Sequence, residues 1–307
     1  MTTQASPSRP GQRRRGIGGL AWPVAAAGLF ASALAFAAWR SRRTTSELRA
    51  RLEAARVRLT VATYADEELE DLPAPVQRYL RIVLTPGQAM VSAASLRQTG
   101  TFLLGLDSTR WLPFVAEQRI VARRPGFDWD ARIRMFPGAT LVVHDAYVDG
   151  EGILDVSLGG LVTLAAARGT PEAARGELIR YLAEAAWIPT ALLPSQGVRW
   201  QAVDATSANV TLRDGDTEAT MLVTFYANGL IESTRAEARG AKVGPNNVEM
   251  PWEGRWGRYE QRDGMLVPTE GEAAWFTPQG RKTYWRGTVT RFVYEHEPSA
   301  RVAEGSR

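Results

Sequence analysis

Glu177, Arg180, Tyr181 and Glu184 stand at helical spacing and bring two carboxylates, a guanidinium and a phenol onto one stripe of one helix. Trp187 follows, then the dyad Arg199-Trp200, and a second Trp-Arg dyad, Trp285-Arg286, lies near the C-terminus. Paired acids beside an arginine suit acid–base work or the clasping of a polar ligand. The same spacing suits i,i+3 and i,i+4 ion pairs on a helix face turned to water, and this reading is favoured. The opposite face, Leu178, Ile179, Leu182, Ala183, Ala185 and Ala186, is the one that reads as core. Yet Tyr181 and Ile188 share the polar stripe, and with tryptophan-rich surroundings this leads us to expect at least partial burial of Arg180 between Glu177 and Glu184. A helix in the mouth of a curved sheet would aim the stripe at strand residues such as Arg199 or Arg286. The candidate ligand-binding residues are therefore Glu177, Arg180, Tyr181, Glu184, Trp187, Arg199, Trp200, Trp285 and Arg286.

Other constellations are weaker. Asp128 and Asp130 share a strand face, as acid–base or cation-binding pairs do, but Arg132 and Arg134 on that face point to charge neutralisation. His144 and Asp145 are adjacent on a candidate strand, so they face opposite ways and form no relay with each other. The chain has no cysteine and only two histidines, which removes thiol chemistry and thiolate metal sites and nearly removes a multi-histidine site. No phosphate loop, dinucleotide fingerprint or G-x-S-x-G elbow occurs. No cofactor or metal is expected. The net charge of +4 comes almost wholly from arginine, with lysine only at Lys242 and Lys282, and no basic strip interleaved with aromatics appears. Nucleic acid is not an expected partner.

The first predicted element is apolar. Gly16 to Trp39 contains no charged residue and is fenced by Arg13, Arg14 and Arg15 before and Arg40, Arg42 and Arg43 after. At ~1.5 Å per residue the run spans a ~30 Å hydrocarbon core, and Trp22 and Trp39 suit its interfaces. A cleaved signal peptide competes, since Ala35-Phe36-Ala37 fits a cleavage site, but the run is long for one. We expect a single-pass transmembrane helix in the cell membrane, its partner the lipid bilayer. Arginines crowd both ends and leave the side open.

Residues 1–15 read as a disordered tail and 40–66 as a stalk helix and hinge. In the stalk, Glu47–Arg51 and Arg49–Glu53 pair, Leu48, Leu52 and Leu59 form a thin stripe, and the acidic 66–71 stretch is a solvated hinge. A globular β-rich domain occupies 67–296, and 297–307 is a second tail. Pro75 opens a helix with Val76, Tyr79, Leu80 and Val83 on one face. From there the period is two: Phe127, Trp129, Ala131, Ile133 and Met135 alternate with charged residues. Strands are also expected at 95–105, 114–123, 139–149, 151–158, 198–204, 207–213, 217–227, 230–239, 256–262, 266–276 and 282–294. Asp-Gly and Asn-Gly turns separate many of them. The fold class is mainly β (α+β), an antiparallel meander or half-barrel with one inserted amphipathic helix, 171–192.

Several phrases carry a family resemblance: LPAPVQRYLR (72–81), WLPFVAEQ (111–118), PGFDWDARIRM (125–135), HDAYVDGEG (144–152), GELIRYLAEAAWIPTALLPSQGVRW (176–200), PWEGRW (251–256) and YWRG (284–287). As an ordered set over about residues 70–295 they resemble an uncharacterised bacterial domain of unknown function, sometimes preceded by membrane helices. That resemblance implies no reaction and no catalytic residue. At the level of architecture alone, the expected sheet is similar to the half-barrels of lipoprotein-sorting carriers, which bind acyl chains in the concave face. The expected function is binding of a hydrophobic or amphiphilic, lipid-like ligand in a concave sheet rich in tryptophan. The alternatives are an enzyme using Glu177 or Glu184 with Arg180, or a scaffold for another membrane protein. Nothing in the sequence sets the oligomeric state.

Overall fold

The computed structural model describes residues 21–243 and 246–296, with side chains for 32–240 and 248–296. The tails expected at 1–15 and 297–307 lie outside the described residues.

The strands are β1 (Val91–Phe102), β2 (Leu112–Val121), β3 (Gly126–Phe136), β4 (Ala139–Val148), β5 (Glu151–Leu158), β6 (Val162–Arg168), β7 (Arg199–Ala202), β8 (Ser207–Asp214), β9 (Thr217–Phe225), β10 (Ile231–Val243), β11 (Asn246–Arg262), β12 (Met265–Thr277) and β13 (Gly280–His296). They form one antiparallel sheet in the order β6-β5-β4-β3-β2-β1-β13-β12-β11-β10-β9-β8-β7. Two meanders thus fan out from the β1–β13 seam, where Ala94 faces Tyr294 and Phe102 faces Trp285. The edge strands are β6 and β7, and the chain between them carries α3 (Pro171–Glu184) and three 3₁₀ turns, Ala185–Trp187, Pro189–Leu192 and Pro194–Gln196. This segment crosses the concave side. α3 packs against β3, β4 and β5 of one meander and β9 and β10 of the other. The half-barrel is therefore filled by its own chain.

Period-two patterning builds the walls. Along β2, Leu112, Phe114, Ala116, Gln118 and Ile120 are buried while Pro113, Val115 and Glu117 are exposed. β6 is the strand the sequence reading lacked. All its residues are exposed, so no buried face imprints an alternation. The inserted helix ends at Glu184 rather than 192, because Pro189 and Pro194 admit only short 3₁₀ turns beyond it. Thr170 caps its start, accepting from Ala173 N at 3.2 Å, with Pro171 in the first turn.

One row across the seam is nearly free of side chains. Phe114, Gly100, Gly287, Gly271 and Trp256 are directly opposed on β2, β1, β13, β12 and β11. A Cβ on Gly100 would stand 2.0 Å from Arg286 O, and one on Gly287 would stand 2.3 Å from the Trp285 ring. The glycines allow backbone and aromatic rings to approach closely here, and the large rings lie over this floor.

α2 (Ala74–Val83) packs on β8 and β12 in the same core as α3, its buried stripe Val76, Tyr79, Leu80 and Val83 as its spacing requires. α1 departs from expectation. It runs unbroken from Ala21 to Ala55, and its second half is no free stalk: it lies on the convex face of β2, β3 and β4. Leu48 and Leu52 bury against Ala93, Val121, Ala146, Val148 and Ile153. The expected pairs within the helix give way to pairs across elements: Arg49 with Asp128, Arg51 with Glu151, and Glu53 with Arg119. The acidic stretch after it is not a solvated hinge either. Asp66–Leu69 is a 3₁₀ turn with Leu69 fully buried, and Glu68 Oε1 accepts from Ser195 N at 2.5 Å. Among the described residues no helix is long and apolar enough to cross a membrane. Most of the apolar run 16–39 falls on residues, or on side chains, outside that description.

Candidate functional site

α3 carries the polar stripe read from the sequence, but the stripe does not face water. Enclosed by a coiled sheet, the helix has protein on both faces. Arg180 is only 12% exposed, and its Nη1 donates to Asp145 Oδ2 on β4 at 2.5 Å while its Nε donates to Glu184 Oε1 at 2.8 Å. Its guanidinium lies over the rings of Phe127 and Trp129, 4.8 and 5.1 Å from their centroids. One turn earlier, Glu177 Oε1 accepts from Arg239 Nη2 at 3.2 Å, and Arg239 Nε donates to Gly176 O at 3.0 Å. Arg239 stacks on Trp252 and Trp275. A chain of neutral donors completes the cluster: Trp129 Nε1 donates to Gln98 Oε1, Gln98 Nε2 to Gln118 Oε1, and Gln118 Nε2 to Glu184 Oε2, at 2.8, 2.8 and 2.6 Å.

Three carboxylates, Asp145, Glu177 and Glu184, thus share two arginines. The excess falls on Glu177. Burial, reinforced by the charge of Asp145, pushes its pKa up to about 8, and Arg239 and Arg180 only partly offset this. Glu177 Oε2 has no hydrogen-bond partner among the described residues. Burial works against the charge on Arg180, yet Glu184 and Asp145 outweigh it and raise its pKa.

Beside this cluster lies a cavity of about 90 Å³ whose walls include Phe102, Trp129, Trp187, Trp252, Trp256 and Trp285. Asp145, Arg180, Glu184 and Arg239 supply its polar wall. Trp187 and Trp256 meet edge to face at 5.2 Å. Their indole Nε1 atoms are both buried without partners among the described residues, as is Thr234 Oγ1. Gly254 joins these groups: a Cβ there would lie 3.1 Å from Thr234 Oγ1 and 3.5 Å from the Trp256 ring. A wider depression of about 450 Å³, lined by Gly100, Arg255, Glu270, Glu272, Arg286 and Thr288 among others, opens at the glycine row. Glu270 and Glu272 are ion-paired there, with Arg258 and with Arg281 and Arg286.

Of the candidate residues, the structure gathers Arg180, Glu184, Trp187 and Trp285 at the cavity and Glu177 immediately behind it. It separates the others. Tyr181 is buried and donates to Ala122 O at 3.1 Å, a structural bond. Arg199 is 71% exposed on the β7 edge, paired with Glu218. Trp200 Nε1 donates to Leu192 O. Arg286 leaves the cavity and stacks on Trp111 at 4.6 Å. Asp145 was weighed beside His144 without its partner being named, and Gln98, Gln118 and Arg239 were missed. Gln118 had a legible signal, a polar residue on the apolar side of a clean alternation. Arg239 had none, because a register shift between Ala236 and Arg239 decides which way it points.

His144 and Asp145 do face opposite ways. His144 lies under α1, with Nδ1 3.2 Å from Asp128 Oδ1, while Asp145 joins the inner cluster. Asp130 pairs with Arg132 and accepts from Thr45 of α1, so the acids of β3 serve charge pairing and helix docking. Among the described residues no cluster of metal-ligating side chains occurs.

A family model matches residues 70–294, nearly the whole sheet and its inserted helix. The chain belongs to a family of unknown function, DUF6920. This agrees with the resemblance carried by the quoted phrases. No curated protein matches. Similar solved structures include the following two. A LolA superfamily protein from Nitrosomonas europaea shares 10% identity, with 73% of this chain and 94% of that chain covered and a TM-score of 0.32. A β-barrel-like protein of the domain of unknown function DUF1849 from Brucella abortus shares 13% identity, with 67% and 99% covered and a TM-score of 0.19.

Proposed function

We propose that this DUF6920 chain binds a hydrophobic or amphiphilic ligand on the concave side of its sheet, with the ligand's polar end in the tryptophan-lined cavity beside α3. The observation that carries the reading is the set of unpaired donors at that cavity. Buried polar groups in folded proteins nearly always have partners, and Trp187 Nε1 and Trp256 Nε1 have none among the described residues. Both belong to side chains on the cavity wall, and because the two nitrogens are themselves covered, a ligand oxygen satisfies them only once a ring turns toward the cavity. At about 90 Å³ the cavity takes a headgroup-sized fragment rather than a whole chain, since sites for entire small ligands run to ~300 Å³ and more. The apolar part then lies along Phe102 and Trp285. Mass spectrometry of ligand co-purified with the full chain, and tryptophan fluorescence titrated with a lipid and fatty-acid panel, test this. A shift abolished by Trp256→Phe but kept in Arg199→Ala supports the reading, and a chain that is empty and unresponsive to the panel overturns it.

The segment 16–39 anchors the protein in the cell membrane in this proposal. Its lack of charge supports this, as do Leu34, Phe36 and Trp39, all more than half exposed on α1. Resistance to alkaline extraction and an intact N-terminus by mass are the expected results, and a mature chain beginning after residue 37 would replace the anchor with a cleaved signal.

A second reading is favoured by Glu177, a buried acid whose Oε2 has no partner among the described residues and whose pKa is raised by burial and by Asp145. An acid of this kind suits general acid catalysis. Glu184 suits it less, since both its oxygens are engaged. Turnover of a bound lipid ester by wild type and not by Glu177→Gln, with both binding it equally, would establish an enzyme. Ligand recovered unchanged from both would exclude that activity.

A further inference from the structure

Exposed apolar side chains gather at one end of the β1–β6 meander. Antiparallel order puts the β1–β2 loop, the β3–β4 turn and the β5–β6 turn at the same end, and each carries such residues. They are Leu104 in the first, Phe136 (55% exposed) in the second, and Leu158, Leu161, Val162 (58%) and Leu164 (56%) in the third. Val162 lies directly across from Leu158 on the outermost pair. An unpaired edge strand bearing apolar residues is a surface that soluble proteins blunt with charge or cover, and β6 has no cover within the described residues.

α1 reaches this same end. Its C-terminal turns lie at the opposite end, where Val57 N donates to Arg123 O at 2.7 Å beside the β2–β3 turn. Its earlier turns meet the β5–β6 turn. Ala37 packs on Gly160, where a Cβ would stand 3.1 Å from Ala37 O, and Arg40 donates to Leu161 O at 2.9 Å and to Thr163 Oγ1 at 3.2 Å. The described part of the apolar run, from residue 21 to residue 39, therefore leaves the domain at the apolar rim. Arg40, Arg110 and Arg134 stand around it, with Arg110 donating to Met135 O at 2.7 Å. Apolar tips ringed by arginines match the depth profile of a bilayer interface, with tips below the phosphates and guanidinium groups among them.

We infer that this rim is seated in the membrane surface, with the β5–β6 hairpin, Phe136 and Leu104 dipping into the headgroup–acyl boundary beside the anchor. The inference rests on the membrane-anchor reading above and adds the orientation of the domain. Phe102 and Trp285, which line the cavity, pair at this same end of the seam. A lipid entering the cavity thus moves from bilayer to protein without crossing bulk water.

The absence of native cysteine makes the test direct. Single cysteines replace Leu34, Phe136, Val162, Leu164 or Val57 in the full chain, which is reconstituted in vesicles of phosphatidylcholine and phosphatidylglycerol and labelled with an environment-sensitive fluorophore. Labels at Phe136→Cys, Val162→Cys and Leu164→Cys are expected to shift to the blue and to be quenched by lipids spin-labelled near the headgroup. The label at Leu34→Cys should be quenched by deeper spin labels, and the one at Val57→Cys should remain in water. Rim labels in water with Leu34→Cys buried would overturn the seating and leave the anchor standing. A label at Leu34→Cys in water would overturn the anchor, and the seating with it.

Discussion

Arg180 Nη1 lies 2.5 Å from Asp145 Oδ2, and this bond ties the helix inside the half-barrel to the strand that faces it. With the bond from Nε to Glu184 at 2.8 Å and the two rings stacked below, the guanidinium has little of its charge left to water. Arg180→Met would keep most of the apolar contact and strand Asp145 and Glu184 without their cation. Loss of one partner from a buried pair costs ~3–5 kcal/mol, against ~0.5 kcal/mol for an exposed i,i+4 pair. We expect the urea midpoint to fall accordingly, whereas an unchanged midpoint would mean that the cluster is solvated in solution.

Glu177 makes stability depend on pH in an unusual sense. Its pKa rises from 4.5 for a free side chain to about 8 in the fold, so between those values the folded chain holds a proton that the unfolded chain has released. Stability from this group is therefore complete below the lower value and declines as pH rises through the upper one, by at most ~1.4 kcal/mol per pH unit. Glu177→Gln should flatten that decline in denaturation series across the window. If the mutant declines as steeply as wild type, another group is responsible.

Gly100 and Gly257 offer a matched pair of alanine substitutions. A Cβ on Gly100 would sit 2.0 Å from a backbone oxygen of β13, while one on Gly257 would meet nothing within 4 Å. Gly100→Ala should cost ~1–3 kcal/mol or more and alter the near-ultraviolet signal of the rings over the seam, with Gly257→Ala close to neutral. Thermal unfolding of both variants decides whether the glycine row is needed for close approach.

Leu52 holds α1 to the convex face at 1% exposure. Leu52→Ala should cost ~2–5 kcal/mol in local packing and loosen the helix without unfolding the sheet. Faster amide exchange across 40–55, with unchanged protection in β3 and β4, is the expected pattern. Equal protection in mutant and wild type would place the anchorage in the polar contacts of Thr45 and Arg49 instead.

Local rules made much of this fold legible. The alternation Phe127, Trp129, Ala131 and Ile133 fixes β3 and its inward face, and Asp149-Gly150 and Asp263-Gly264, all with positive φ, fix their hairpins. The 3.6 spacing of Val76, Tyr79, Leu80 and Val83 fixes α2 and its buried side. The same spacing put Glu177, Arg180 and Glu184 on one stripe. These patterns are short-range, because side-chain direction repeats within a few residues.

What the stripe meets was decided by tertiary structure. Periodicity separates a polar face from an apolar one and implies that the polar one is wet, which holds for a helix lying on a sheet. α3 is wrapped by its sheet, so both faces are buried, and the polar face is compensated by Asp145, Gln118 and Arg239, between 35 and 66 residues away in sequence. Leu48 and Leu52 likewise announced a stripe without naming its cover, residues on the outer face of β1, β2, β4 and β5. Strand alternation settles which residues share a face. Only sheet coiling, the β10 register shift and the β1–β13 seam settle which faces come together, since they depend on backbone pairings between residues far apart in the chain.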